Sequence, residues 1–477
     1  MIAALVLAAL TATPGAHRPV TTQNAQAQAA FDRGLTLLYA YNGAAADQAF
    51  TSALNLDPHL AMAAWGQAIA RGTDLNTALS PERFARAQTA TQHAASLESY
   101  ASAQERAYID AAVQRYAGTY DQRASDERRY RDAMAQVVAQ YPLDDDAATL
   151  DVEALMEHLG TAGMWTADGS QPVPDAAQAL LLIQRVLTRD PQHLFANHLC
   201  MHAYDYARDR TPAIACANRV ASMEFDPQEE HLAHMPVHTY LETGAYAKAL
   251  RAAEYAWTLL EQPPAQHKYA AHDAYTGWSA ALMLGDLHVA ETWAQRTGRE
   301  YNGSDMWATW ARFAQWNRIA NSNAQGQFYA PLSRGWTDVH FGVIDDARKM
   351  LALYGSADTD YRWLLQAAIA EHDGRIAEAV DSLNRAIAYQ QREDQAEMLP
   401  LFPAMEYLGD LYYRQKQYAE ARDAFQSALT RFPNDPRALY GLALAQRALG
   451  QTLSAADTLK AFNGIWNAPV LPDLGAL

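Results

Sequence analysis

The sequence has no sustained alternation of β-branched residues, so nothing in it reads as a sheet. After its first residues it has no apolar run long enough to cross a bilayer. Cationic side chains are scarce: 37 lysines and arginines face 54 aspartates and glutamates, a formal net charge of −17. Nucleic acids and anionic membranes are bound by cationic surfaces, so neither is expected as a partner. G-x-S-x-G, the Walker loop and the Rossmann glycine fingerprint are missing, which leaves serine hydrolysis and nucleotide binding without support. H-E-x-x-H is missing too, so a zincin would lack its general base in the usual place. Only two cysteines occur, Cys200 and Cys216.

What is present starts with small apolar residues, MIAALVLAALTATPGA. They look like the apolar core of a secretory signal peptide, without its basic start. A leader over residues 1–22 is expected, and with it a periplasmic or secreted protein. Export would permit a Cys200–Cys216 disulfide. The two cysteines lie either side of the ARDRTP turn, and positions equidistant from a turn meet across a helical hairpin. Two free thiols in a helix seam are the alternative, and Cys200, between His198 and His202, is also a conceivable thiolate ligand. Apolar residues make up 50% of the 477, enough for a large core, but the chain is too long for one ordinary core unless it is an extended array.

The array shows in the spacing. Leu408, Gly409, Tyr412, Ala421, Phe425, Ala428 and Pro433 fall at the offsets of a tetratricopeptide unit of roughly 34 residues. The next unit opens at Pro436 and carries Leu442, Ala443, Ala455 and Leu459. Gly34, Ala46, Phe50, Ala53 and Pro58 repeat the pattern near the N-terminus. Small residues let two antiparallel helices approach, large ones fill the gap to the next pair, and proline ends the second helix. The expected fold is all-α, a tetratricopeptide-type α-solenoid of helix–turn–helix repeats. It runs as one continuous stack through 23–162, a histidine-rich centre at 174–302, and 303–477. GMWTADGSQPVPD (163–175) is the clearest loop. Trp307, Trp310, Trp316, Tyr329 and Trp336 crowd one later stretch, either walling a pocket or filling inter-repeat core.

Histidines concentrate between Asn197 and His238. His198/His202 and His234/His238 are each spaced i,i+4, which on a helix puts two imidazoles on one face a turn apart. That is a metal-chelating spacing. Pro236 stands between the second pair, where a proline kinks a helix. In the repeat register the two pairs and His272 fall on consecutive first helices, whose faces line the concave side of such stacks. The expectation is one metal ion held by three to five of His198, His202, His234, His238 and His272. Asp205 would be a further ligand, or would orient His202 by accepting its other N–H. Glu153 and Asp273 are weaker acid–base or supporting candidates. His231 and His267 are left out of the ligand set, and His158, His193, His288, His340 and His372 read as structural or exposed. Imidazole suits zinc, copper and iron, so the ion could be Cu, Fe or Zn.

These residues resemble those of a family of bacterial tetratricopeptide proteins that carry a predicted signal peptide and an H-x-x-x-H…H-x-x-H-M-P-x-H signature. The resemblance runs through FDRGLTLLYAYN, ERAYIDAAVQRYA, MWTADG, NHLCMHAYD, HLAHMPVHTYLETGAYAKAL and AAHDAY. It departs from the family at Asp205 and Asp273, which stand where Glu and Asn are usual. It implies the fold and metal binding, and assigns no reaction. Two functions of different class follow. One is a metalloenzyme built on a rigid solenoid, acting on a small-molecule substrate. The other is an exported scaffold whose concave groove binds a protein or peptide without catalysis.

Overall fold

Helix starts carry side chains that accept the first free backbone N–H groups. Asn24, Ser80, Asp144, Thr359 and Asp435 do so singly, and Ser102 closes a reciprocal capping box with Glu105. The computed structural model describes residues 11–12, 15–263, 267–301, 305–322, 330–392, 399–467 and 471–472. They form an all-α solenoid of antiparallel helix pairs that divides into two compact units, 1–239 with 258–267, and 240–257 with 268–477. The division falls inside the central segment expected at 174–302.

The first unit stacks α1 (Ala25–Tyr39) with α2 (Gly43–Leu56), α3 (Ala61–Arg71) with α4 (Pro81–Ser96), and α5 (Ala103–Arg115) with α6 (Arg123–Gln140). Then come α7 (Asp145–Leu159), α8 (Pro174–Arg189), α9 (Leu194–Ala203), α10 (Ile214–Val220), α11 (Glu230–His234) and the start of α12 (Pro236–Glu242). The packing device is an aromatic ring seated on two glycines. A methyl group at Gly34 or Gly66 would come within 2.5–2.6 Å of the Phe50 ring. Phe50 is fully buried there, and its loss should cost about 3–5 kcal/mol. The only strand pairing among the described residues is a two-residue parallel contact, Thr11–Ala12 with Met223–Glu224. Residues 15–22, counted with the leader in the sequence reading, pack into this unit. Arg18 lies over the Tyr108 ring and pairs with Asp144 (2.9 Å) and Asp146 (3.1 Å), and the Thr21 amide donates to Glu105 (2.7 Å). Residues 1–10, 13–14 and Tyr329 lie outside the described residues.

The second unit contains most of α13 (Tyr246–Leu260), then α14 (Ala270–Met283), α15 (Leu287–Tyr301), α16 (Asp305–Arg312), α17 (Trp316–Ala320), α18 (Ala330–His340) and α19 (Ile344–Leu353). It ends with three regular hairpins: α20 (Asp360–His372) with α21 (Ile376–Arg392), α22 (Ala404–Arg414) with α23 (Tyr418–Arg431), and α24 (Pro436–Ala448) with α25 (Thr452–Asn463). The same ring-on-glycine device recurs, with Phe425 against Gly409 and Gly441. Of the readings the sequence left open for Cys200 and Cys216, the disulfide is the one formed, and it ties α9 to α10. Among the described residues no helix is long and apolar enough to cross a membrane.

Candidate metal centre

Three elements far apart in sequence meet at the histidines of the first unit. The C-terminal end of α1 supplies Tyr39 and Tyr41, α9 supplies His198 and His202, and α11 supplies His231. Polar side chains fasten α11 to α1. Arg33 pairs with Asp226 (2.6 Å) and Glu229 in the turn that starts α11, and the Asn42 amide donates to the Gln228 carbonyl (2.9 Å). On α9, Asn197 donates to the carbonyls of Pro191 and His193 and accepts from Arg219 (2.8 Å), which fixes the helix start.

Hydrogen bonds set the tautomers. His198 Nδ1–H donates to the Tyr39 carbonyl at 2.8 Å. A carbonyl only accepts, so Nε2 of His198 carries a lone pair, and that atom is buried with no hydrogen-bond partner. His202 Nδ1–H donates to Asp205 Oδ2 at 3.0 Å, again presenting Nε2 as the lone pair. This is the arrangement in which a carboxylate or carbonyl orients a ligating imidazole. His231 Nε2 meets the Asn76 side-chain amide at 3.2 Å. One nitrogen from each of His198, His202 and His231 lies within 4.8 Å of the others. All three residues are buried. Burial, then the neighbouring His202, pushes the His198 pKa well below the usual imidazole range, keeping it neutral as a ligand must be.

Tyr41 covers the trio. Its ring centroid is 4.5 Å from that of His198, 5.7 Å from His231 and 6.2 Å from His202. Its backbone is left-handed, φ 53°, a conformation a bulky residue adopts at a cost and most often where function requires it. The Tyr41 hydroxyl is buried, makes no hydrogen bond of standard geometry, and sits against the Glu153 carboxyl. Burial pushes the Glu153 pKa up to about 8, with Arg115 opposing and Asp74 adding to the rise. Glu153 is thus a buried, protonated acid one residue removed from the imidazoles.

His234 and His238 form their own pair. Their Nε2 atoms are 2.8 Å apart, and both side chains are buried. Pro236 does more than kink: α11 ends at His234 and α12 begins at Pro236, because proline offers no N–H to the Leu232 carbonyl.

The structure therefore brings His198 and His202 together as expected, puts Asp205 in the orienting role, and adds His231, which the sequence reading had set aside. Tyr41 and Asn76 were missed; nothing in their local sequence distinguishes them. His272 and Asp273 stand on α14 in the second unit, His272 half-buried and Asp273 buried. His193 caps α9, accepting from the Ala196 amide, while His288, His340 and His372 are exposed. The aromatic stretch is mostly packing. Trp310 donates to Glu291, Trp316 stacks near His340 and Trp336 lies against Phe402 and Tyr407. Trp307 alone of these edges an open cleft of about 410 Å³ with Arg334, Asp338 and Lys349.

Comparison with known proteins adds the following. Residues 408–465 match the family model described as tetratricopeptide repeat. The TPR domain of P58(IPK) shares 15% identity, covering 90% of this chain and 99% of that one, at a TM-score of 0.23. Human IFIT1, as a dimer with PPP-AAAA, shares 12% identity over 90% of each chain at 0.32. The APC/C hetero-tetramer Cut9–Hcn1 shares 14% over 92% of this chain and 94% of that one at 0.30. No curated protein matches the chain. No residue correspondence is taken from the structural similarities.

Proposed function

We propose that the first unit is a metal-binding module holding a transition-metal ion, Cu, Fe or Zn, on His198, His202 and His231. Asp205 and the Tyr39 carbonyl orient the first two. The carrying observation is that one nitrogen from each of three buried imidazoles lies within 4.8 Å of the others, while Nδ1 of His198 and of His202 is held by an oxygen acceptor. The ring spacing supports it. Metal–nitrogen bonds of about 2.05 Å put the ring centroids of two tetrahedral ligands about 5.2 Å apart. His198 and His202 are at 5.0 Å, and His198 and His231 at 5.2 Å. Three protein ligands leave a position for water or a small-molecule substrate, as catalytic rather than structural sites do. A metalloenzyme is the reading this favours, with the ion acting as Lewis acid or oxygen activator. Tyr41 and Glu153 are placed to hydrogen-bond what binds there.

Export to an oxidising compartment is part of the proposal, supported by the disulfide and the apolar opening residues. Protein purified without added metal should carry the ion stoichiometrically by elemental analysis. H198A/H202A should lose the trio's ion with helical circular dichroism intact. A metal-free wild-type protein would end the proposal. The tetratricopeptide match at 408–465 favours a second reading, a scaffold that binds a protein segment. A partner whose binding survives H198A/H202A in metal-free protein would carry that reading instead.

A further inference from the structure

Five buried imidazoles of the first unit form a continuous chain of rings, His202, His198, His231, His234 and His238. The centroid steps along it are 5.0, 5.2, 6.5 and 4.7 Å. The first two steps suit ligands of one tetrahedral ion, about 5.2 Å. The third does not. Two rings about 6.5 Å apart can share an ion only from its opposite sides. An ion already bound by His198, His202 and His231 at tetrahedral spacing cannot take His234 that way. The chain of rings therefore parts between His231 and His234, and His234 and His238 stand as a separate donor pair.

That pair has the bite of a chelate. Bonds of about 2.05 Å at angles of about 90–109° place two donor nitrogens about 2.9–3.3 Å apart. The Nε2 atoms of His234 and His238 are 2.8 Å apart. The residues are spaced i,i+4 across the Met235–Pro236 junction, where Met235 stays right-handed helical and keeps the two rings on one side. Two Nε2 atoms face each other, and only one of them can carry a proton between them.

We infer that His234 and His238 hold a second metal ion, so that the first unit carries a two-metal site rather than the one ion expected from the sequence. The inference rests on the trio holding the first ion, and the test separates the two. The full chain is stripped with chelator, reloaded with excess Co²⁺, desalted and counted by native mass spectrometry. Two ions per chain are expected for the wild type. One is expected for H234A/H238A, and one for H198A/H202A. H238Q, which keeps a hydrogen-bonding side chain and so the pair's packing, is also expected at one, with unchanged circular dichroism. It decides the matter should the double variant fail to fold. A wild-type count of one that H234A/H238A and H238Q leave unchanged would show that the pair is only hydrogen-bonded, and would overturn the inference while leaving the trio standing. A wild-type count of zero would overturn both.

Discussion

In the second unit, Arg312 forks onto Glu406 at 2.7 and 3.2 Å and reaches Asp435 at 3.7 Å. Arg437 joins Asp410 and Glu406. All five side chains are buried. In the first unit a buried histidine cluster is fastened by one carbonyl and one carboxylate, which accept from His198 and His202. The first of these clusters closes on itself. Opposite charges on α16, α22 and α24 answer one another, and the desolvation cost of each is offset by its partners. Such a network holds repeats together. The imidazole cluster is held instead by hydrogen bonds without a paired opposite charge at each contact, His198 to the Tyr39 carbonyl and His234 to His238 at 2.8 Å. Buried titratable groups thus mean different things according to whether opposite charge or a dipole answers them.

This contrast is open to direct tests. The largest effect should come from R312A, which strips Glu406 of its bidentate partner, leaves it to Arg437 alone, and takes from the buried Asp435 the guanidinium at 3.7 Å. A loss of about 3–5 kcal/mol is expected in urea unfolding, with metal content per folded molecule unchanged. If R312A emptied the histidines instead, the two clusters would not be independent. D205N should do the reverse. Metal affinity, measured by competition with a chromogenic chelator, should fall about 10–100-fold, and the melting temperature of metal-free protein should barely move. The smallest effect is expected from E153Q. In the fold the Glu153 pKa is about 8 against an ordinary 4.5. Above the ordinary value the unfolded chain releases this proton while the fold retains it. The stabilising contribution is therefore complete in acid and is lost as pH rises through about 8. E153Q should flatten this loss, so that its stability relative to wild type is higher at pH 8 than at pH 5. An unchanged pH profile in thermal melts would remove Glu153 from the buried acids beside the site.

The repeat architecture was legible because its physics is local. Gly34 with Phe50, and Gly409 with Phe425, are contacts set by spacing within one hairpin. His198, His202 and Asp205 were legible for the same reason, lying within two turns of one helix. His231 was not. In a continuous helix positions 231, 234 and 238 share one face, and the reading had to choose among them. What brings His231 against α9 is the anchoring of residues 226–229, just before α11, by Arg33 and Asn42. Those anchors act across more than 180 residues of chain. Tyr41 and Asn76 reach the site across similar separations, and no periodicity records a contact of that kind.

The disulfide has a consequence for how α9 is held. Cys200 lies between His198 and His202 on a single helix, and as a thiolate it would be a softer and more tenacious ligand than either neighbour. Bonding to Cys216 withdraws both sulfurs from that competition. Two residues from each histidine, Cys200 falls on the opposite side of α9, so the disulfide holds the helix from the face that the imidazoles do not use. The backing of α9 against α10 is thereby covalent, while the opposite face of the same helix is positioned only by hydrogen bonds and packing.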